Sequence, residues 1–315
     1  MRRTLASVLT CFEKETGRRK LARQEIWKSF FNCQCGYFKT VNQLFLAMVK
    51  IKGFLVASHF GPTLLVTTVT FLLATQLWWE GPAFIIAFGI FLGQLIVGWT
   101  NDLYDFRDDL KHNRNNKPLV SGALKPAELK RAIFIMMPIA LFVNLLGPLG
   151  LKAGSISILG IGIGVAYNFY LKPTALSPIP YALAFALLPA ALVISTDRTP
   201  PLWLLWAGGL LGMSAHFANV LKDFREDKAS GIQSLPITLG RIPSRLIAAT
   251  FLIAATIVLN SASANTPILV IGIIAATLSI FAPKFILFKL LMLVALLDVV
   301  LLVNAAGELI GSRTV

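Results

Sequence analysis

The chain has 315 residues, of which 56% are hydrophobic and 14% charged, with a mean hydropathy of +0.72 and a formal net charge of +14. A soluble domain carries about a quarter charged residues, and apolar runs of about 18 to 23 residues are long enough to cross a bilayer. This composition therefore excludes a soluble globular enzyme, a disordered chain and a secreted disulfide scaffold. The basic excess reads as membrane topology rather than as a nucleic-acid footprint, and three cysteines, all within the first 35 residues, build no disulfide framework.

Residues 1–50 form a basic N-terminal tail holding Arg18-Arg19-Lys20, a Cys33-Gln34-Cys35 pair and a short apolar stretch from Leu44 to Val49. The tail has no apolar region suited to a secretory signal. Two thiols without His or Cys partners at suitable spacing are a poor metal site. A cytoplasmic tail or surface helix is the reading, and translation starting at Met48, just before Lys50-Ile51-Lys52, is an alternative. The membrane domain covers residues 51–306 and a short C-terminal tail covers 307–315.

Nine apolar segments follow the tail, near 54–77, 83–100, 132–149, 154–171, 179–196, 202–221, 246–262, 267–283 and 288–306. They are continuous rather than alternating in ten-residue pieces, so they predict helices and not a closed barrel. The fold class is an all-α polytopic bundle of about nine transmembrane helices, with eight or ten following if one segment is re-entrant. The side that includes the N-terminus holds 26 of the 29 Lys and Arg residues, leaving only Lys152, Arg198 and Arg313 opposite. By the positive-inside rule the large loops are cytoplasmic and the C-terminus is not. The expected location is a bacterial plasma membrane.

Acidic residues are scarce, so their grouping is informative. Seven of the fifteen fall in two windows, Asp102, Asp105, Asp108, Asp109 and then Asp223, Glu226, Asp227. Residues 101–110 read NDLYDFRDDL and residues 219–228 read NVLKDFREDK, identical at six of ten positions and 118 residues apart. Such similarity at two equivalent helix ends is an internal pseudo-repeat with two half-sites. At about 100° per residue, Asn101, Asp105 and Asp109 share one helical stripe, and Asn219, Asp223 and Asp227 repeat it. Carboxylates crowded on one face repel each other and need a cation. Oxygen-only donors favour Mg²⁺, which keeps waters and bridges to phosphate. Basic residues surround the windows: Lys111, Arg114 and Lys117 after the first, Lys222 and Lys228 beside the second. Lys172 is the only charge in its loop. Such cations stabilise charge developing on a leaving diphosphate.

On these residues the chain resembles the UbiA superfamily of intramembrane prenyltransferases. Asn101-Asp102-x-x-Asp105-x-x-x-Asp109 is similar to its first aspartate-rich motif and Asp223-x-x-x-Asp227 to its second. Tyr167 with Lys172 resembles the intervening Tyr/Lys segment, and Asn116-Lys117-Pro118-Leu119-x-x-Gly122 the loop after the first motif, where Arg often replaces this Lys. The resemblance covers roughly residues 50–306. It implies a helical bundle around a central cavity open to the lipid, with cytoplasmic cap loops. Mg²⁺ would be held by Asn101, Asp102, Asp105, Asp109, Asp223 and Asp227. The diphosphate of a prenyl diphosphate would be bound by Lys117, Lys172, Arg114 and Lys222, with Asp105, Asp223 and Lys172 as the catalytic core. Asn219, Tyr167 and His216 are possible substrate contacts. His59 carries the same ambiguity as His216, since a satisfied buried histidine is the commoner case. Tyr170 stands either as a cation-stabilising ring or as an interfacial aromatic, and Asp298 lies mid-span with no link to either motif.

The partners implied are a prenyl diphosphate, membrane lipids and a lipid-soluble or amphipathic acceptor, with no nucleic acid. The superfamily's acceptors include quinone-ring precursors, chlorins, glycerol-phosphate lipids and pentose-phosphate lipids, and no residue here selects among them. A membrane terpene cyclase of the same superfamily would use the same ionisation. A CDP-alcohol phosphatidyltransferase needs an Asp-Gly and Ala-Arg pattern that neither window has. A transporter would place its ionisable groups near the bilayer midplane, whereas these lie at one rim.

Overall fold

The computed structural model describes residues 45–311. The expectations for Arg18–Lys20, for the Cys33/Cys35 pair and for the last four residues lie outside the described residues. The chain divides into two units, Met1–Gly53 and Phe54–Val315. In the first, residues 45–53 are helical, with Phe45, Leu46, Met48 and Ile51 exposed. Helix therefore begins inside what the sequence marks as tail.

The described residues are all helix and connecting turn. They form α1 (Phe45–Ala57), α2 (Phe60–Ala74), α3 (Glu80–Lys111), α4 (Pro126–Leu146) and α5 (Gly150–Ala166), which ends in a π-helical turn, Tyr167–Leu171. Then come α6 (Pro178–Ile194), α7 (Leu202–Ala229), the short α8 (Leu235–Leu239), α9 (Arg241–Ser263), α10 (Thr266–Phe281) and α11 (Lys284–Gly311). Eight of the nine predicted apolar segments each fall on one helical stretch, and the first, 54–77, is broken between α1 and α2. Five helices among the described residues are individually long and apolar enough to cross a membrane: α3, α4, α5 with its π turn, α7 and α9. The α1–α2 pair qualifies only jointly, while α6, α10 and the segment Leu293–Val303 of α11 are shorter apolar helices. The last helix runs to Gly311, past the expected end at 306.

Local chemistry explains the boundaries. Pro126 opens α4 at a position whose N–H would have no partner anyway, and the Glu128 carboxylate accepts the Lys125 N–H at 2.9 Å. Asn265 caps α10 by accepting the Ile268 N–H at 3.2 Å. The break between α1 and α2 follows from Pro62, which cannot donate to the carbonyl four residues back and would clash with it. That carbonyl, on Ser58, is taken instead by the Thr63 hydroxyl at 2.7 Å. His59 turns the chain there with a left-handed φ of 52°.

Large apolar side chains point outward along the bundle. Phe84, Phe134, Phe142, Leu151, Trp206 and Phe281 are each at least 64% exposed, the surface of a protein whose outer solvent is lipid. Inside, small residues and satisfied polar groups join the helices, as expected where hydrophobicity alone does not drive helix association. Asn144 on α4 donates to the Gly89 carbonyl of α3 at 3.2 Å and accepts from Ser157 of α5 at 2.8 Å. Gly208 and Gly212 on α7 let that helix approach the α6 backbone at Phe185 and Tyr181.

Helix length then positions the two acidic windows. At 1.5 Å per residue, the 32 residues of α3 span about 48 Å and the 28 of α7 about 42 Å. Both exceed the roughly 30 Å hydrocarbon core. Residues 101–109 and 219–227 occupy the C-terminal portions of these two helices, where they run on toward one rim of the bundle.

Candidate active site

The first window meets cations from three different parts of the chain. Lys172, immediately after the π turn, donates to Asp105 at 2.5 Å and to Asn101 at 3.3 Å. Lys117, in the loop after α3, donates to Asp102 at 2.6 Å. Arg114 donates to Asp109 at 2.7 Å. The helical stripe is thus read by Lys172 and Arg114, and the adjacent Asp102 by Lys117.

Each cation is held by local structure. The π turn places the Lys172 N–H on the Tyr167 carbonyl at 2.9 Å, and Asn168 in that turn donates to the Val97 carbonyl of α3 at 2.9 Å and lies 3.1 Å from the Thr100 hydroxyl. These bonds pin the Lys172 turn against the start of the first motif. In the loop after α3, Lys117 follows a left-handed Asn113, and its side chain is 20% exposed. Burial pulls the Lys117 ammonium down, but the charge and hydrogen bond of Asp102 outweigh it and hold it above the usual lysine range. Arg114 is likewise held up against burial by its carboxylate neighbours.

His59 enters this site from the α1–α2 break. Its Nε2 lies 3.5 Å from Asp102 Oδ1 and 3.4 Å from Asn101 Nδ2. The close approach depends on Gly98, where a Cβ would sit 2.6 Å from the Ser58 carbonyl oxygen. His59 is therefore a member of the polar cluster rather than a satisfied buried histidine.

The second window faces the first. Arg114 bonds the Asp109 carboxylate of α3 and the Glu226 carbonyl of α7, and Asp227 feels the charges of Lys172 and Asp105. Beneath them is an aromatic group. Tyr167 packs edge-on against Tyr181 at 5.2 Å and against His216 at 5.9 Å, and Tyr181 lies 5.0 Å from His216. Tyr181 is hydrogen-bonded to Asn219 and feels Asp223 and Asp227. His216 is fully buried, with Nε2 3.0 Å from the Ser177 hydroxyl, which also accepts the Leu235 N–H. Its Nδ1 has no hydrogen-bond partner.

Asn101, Asp102, Asp105, Asp109, Arg114, Lys117 and Lys172 thus come together at one rim, while other residues are placed differently from the expectation. Tyr181 and Ser177 were not anticipated; neither carries a periodicity or charge signal, and both join the site only through the α6–α7 contact. Tyr170 is 74% exposed beside Phe169 and takes no part in the ring cluster, unlike the buried Tyr167. Lys222 has an exposed side chain on α7, and Asp298 is fully buried on α11 beside Thr256 of α9, joining neither motif.

A metal fits the donor set in one particular way. Among the described residues no three His, Cys, Asp or Glu side chains converge as a ready-made metal cage. The donors are all oxygens, however, and Asp102 Oδ2 is buried with no hydrogen-bond partner. That combination suits Mg²⁺, which takes one or two carboxylates and completes its shell with water and substrate phosphate rather than with a protein cage.

Comparison with known proteins bears on the fold and the family. A sequence of the Pyrococcus horikoshii digeranylgeranylglyceryl phosphate synthase is 29% identical over 181 residues, 53% of this chain and 58% of that protein. The chain thus spans a little over half the length of that relative. A solved structure of a digeranylgeranylglyceryl phosphate synthase shares the fold at a TM-score of 0.59 and 18% identity, covering 82% of this chain and 99% of the other. A UbiA homologue from Archaeoglobus fulgidus bound to GPP and Mg²⁺ matches at a TM-score of 0.59 and 14% identity, covering 81% and 99%. The same homologue bound to DMAPP and Mg²⁺ matches at 0.58 and 15%, covering 82% and 99%. At such identities these structures speak to the fold. The sequence profile of the UbiA prenyltransferase family matches residues 63–301, more than half of the chain, and this integral membrane protein therefore belongs to the UbiA prenyltransferase family.

Proposed function

We propose that the rim between α3 and α7 binds the diphosphate of a prenyl diphosphate, ionises it and directs the prenyl group to an amphipathic acceptor. The observation that carries this reading is that fixed cations stand between the two windows: Lys172 bonds Asp105 and Asn101 of the first, and Arg114 bonds Asp109 of the first and the Glu226 carbonyl of the second. Two carboxylate stripes and fixed cations at one rim are suited to holding a polyanion between them.

In this account Asn101, Asp102, Asp105, Asp109, Asp223 and Asp227 would hold Mg²⁺. The metal supplies charge neutralisation that makes diphosphate a competent leaving group. Lys172 and Lys117 stand beside those carboxylates and take up the negative charge that grows on the departing oxygens. Lys222 is a further basic residue on the second motif's helix. The bond between the allylic carbon and oxygen breaks with both electrons leaving on diphosphate. The acceptor then supplies an electron pair to the allylic carbon and loses a proton. Tyr167 and Tyr181 present aromatic rings beneath the rim, suited to an allylic cation, and a lipid-open cavity between the helices would keep water from quenching it. Buried His216 and exposed Asn219 border the same ring cluster.

The rim lies on the cytoplasmic side in this reading, supported by the 26 of 29 basic residues on the loops of that face. For the acceptor, a relative named for a prenylated glyceryl phosphate supports a phosphate-bearing lipid alcohol over an aromatic ring. Purified protein in nanodiscs, given geranylgeranyl diphosphate and Mg²⁺ with either a glyceryl phosphate lipid or an aromatic acceptor, tests both points by mass spectrometry. An ether product with the first supports the assignment. A cyclic hydrocarbon released without any acceptor would contradict it in favour of a cyclase.

A further inference from the structure

Sequence groups Arg114 with the diphosphate-binding cations, but its geometry points to another role. We infer that Arg114 is a positioning residue that clasps the two motif helices together, setting the spacing between the half-sites. The inference rests on the prenyltransferase reading for its kinetic consequences and on geometry alone for the clasp.

The two motif helices end alike. After α3, left-handed Asn113 lets the Arg114 N–H reach the Asp109 carbonyl at 3.0 Å. After α7, left-handed Gly231 lets the Ile232 N–H reach the Asp227 carbonyl at 3.1 Å. Both are helix caps in which the sixth residue bonds back to the first. Asn113 and Gly231 are 118 residues apart, the same offset that relates the two acidic windows, so the internal repeat extends through the caps. The symmetry breaks at the next residue, Arg114 against Ile232.

Arg114 uses its fork where the isoleucine cannot. Nη1 donates to Asp109 at 2.7 Å, on its own helix end. Nη2 crosses to α7, donating to the Ser230 hydroxyl at 2.6 Å and to the Glu226 carbonyl at 3.3 Å. A guanidinium at the C-terminal carbonyls of α7 complements the negative end of that helix, and its planar fork bonds two partners at once, which an ammonium on a flexible stem does less well. Asp109 is buried, and the Arg114 side chain is 17% exposed, so this bridge is shielded from solvent screening.

Spin labels at Leu110→Cys and Ala229→Cys, both exposed positions, test the clasp when Cys11, Cys33 and Cys35 are replaced by Ser. The expected result is a longer and broader label-to-label distance in Arg114→Ala and Arg114→Lys, with a smaller change in Ser230→Ala. That last variant loses one hydroxyl and so covers the case in which Arg114→Ala does not fold. Distances unchanged from the parent in Arg114→Lys and Ser230→Ala would overturn the clasp. In diphosphate-release kinetics, misplacement of one half-site costs on the order of 100-fold in kcat. Arg114→Ala is expected to show that loss with little change in the KM for prenyl diphosphate, and adding Ser230→Ala should worsen it by less than the product of the single effects. A direct diphosphate contact would instead raise KM and be restored by Arg114→Lys, which contradicts the inference. If the parent protein releases no diphosphate at all, the functional reading fails, and the distances alone still decide the clasp.

Discussion

Replacing Lys117 by Met strips the counter-charge from a carboxylate that the fold keeps out of water. The Asp102 side chain is 1% exposed, Lys117 is 20% exposed, and their contact is 2.6 Å. Removing one partner of a fully buried pair costs about 3–5 kcal/mol because the remaining charge is left uncompensated. With Lys117 one-fifth exposed and His59 still 3.5 Å from the same oxygen, the lower end of that range, about 3 kcal/mol, applies. For a chain of this size each kcal/mol moves the midpoint by about 2 °C, so Lys117→Met lowers the apparent Tm by about 6 °C. Intrinsic tryptophan fluorescence in nanodiscs at a fixed scan rate measures this, since membrane proteins commonly unfold irreversibly. Adding Asp102→Asn removes the stranded charge and recovers at least half of the loss. The same pair fixes a pH dependence. Because the Lys117 ammonium is held above its usual range, the pair's stabilisation is fully present below the unfolded lysine value of about 10.4 and declines as pH rises through the higher native value. Wild type shows that decline and Lys117→Met does not. A Lys117→Met midpoint within about 1 °C of wild type, or a further fall on adding Asp102→Asn, refutes the reasoning.

Lys172→Met removes the cation that bonds Asp105 and Asn101, and kcat for diphosphate release falls by about 10²–10³, while Lys172→Arg retains more activity than Met; equal rates for wild type and Lys172→Met count against a role for Lys172. Gly98→Ala drives a methyl group against the Ser58 backbone, which cannot rotate away. Such overpacking costs about 1–3 kcal/mol, read as a lowered apparent Tm, with Gly98→Val worse. Asn144→Ala leaves the Gly89 carbonyl and the Ser157 hydroxyl without their partner between α3, α4 and α5. A loss of about 1 kcal/mol is expected from a single interhelical polar contact of this kind, and an unchanged midpoint would show that another group replaces it.

The helices were legible because lipid permits no other arrangement for long apolar runs, so α3, α4, α7 and α9 could be placed from composition and length. The break at His59 was harder to place. Its cause, Pro62, lies four residues downstream of the carbonyl it disables, inside a run that otherwise reads as one span. Asp102, Asp105 and Lys172 stood out because charge is rare in this chain and survives only where a partner compensates it. Their pairings were not legible. On the helical wheel Asp102 falls within about 20° of Asp109, so spacing does not tell which cation each takes; the loop after α3 brings Lys117 to Asp102 and the α1–α2 break brings His59. Tyr181 escaped notice for the same reason. Its place beside Tyr167 and His216 depends on the close α6–α7 approach at Gly208 and Gly212, a tertiary event that leaves no periodic trace. Arg114 was noticed as a charge, yet its reach across 116 residues to Ser230 depends on the two helix ends meeting at one rim.

The central claim is that the two aspartate motifs act together on one diphosphate. Release of diphosphate from geranyl diphosphate, measured against Mg²⁺ concentration for wild type, Asp105→Ala and Asp223→Ala, tests it most directly. The account predicts Mg²⁺-dependent release by wild type that EDTA abolishes, and a collapse of that release in each single variant. Release undiminished in both variants contradicts it.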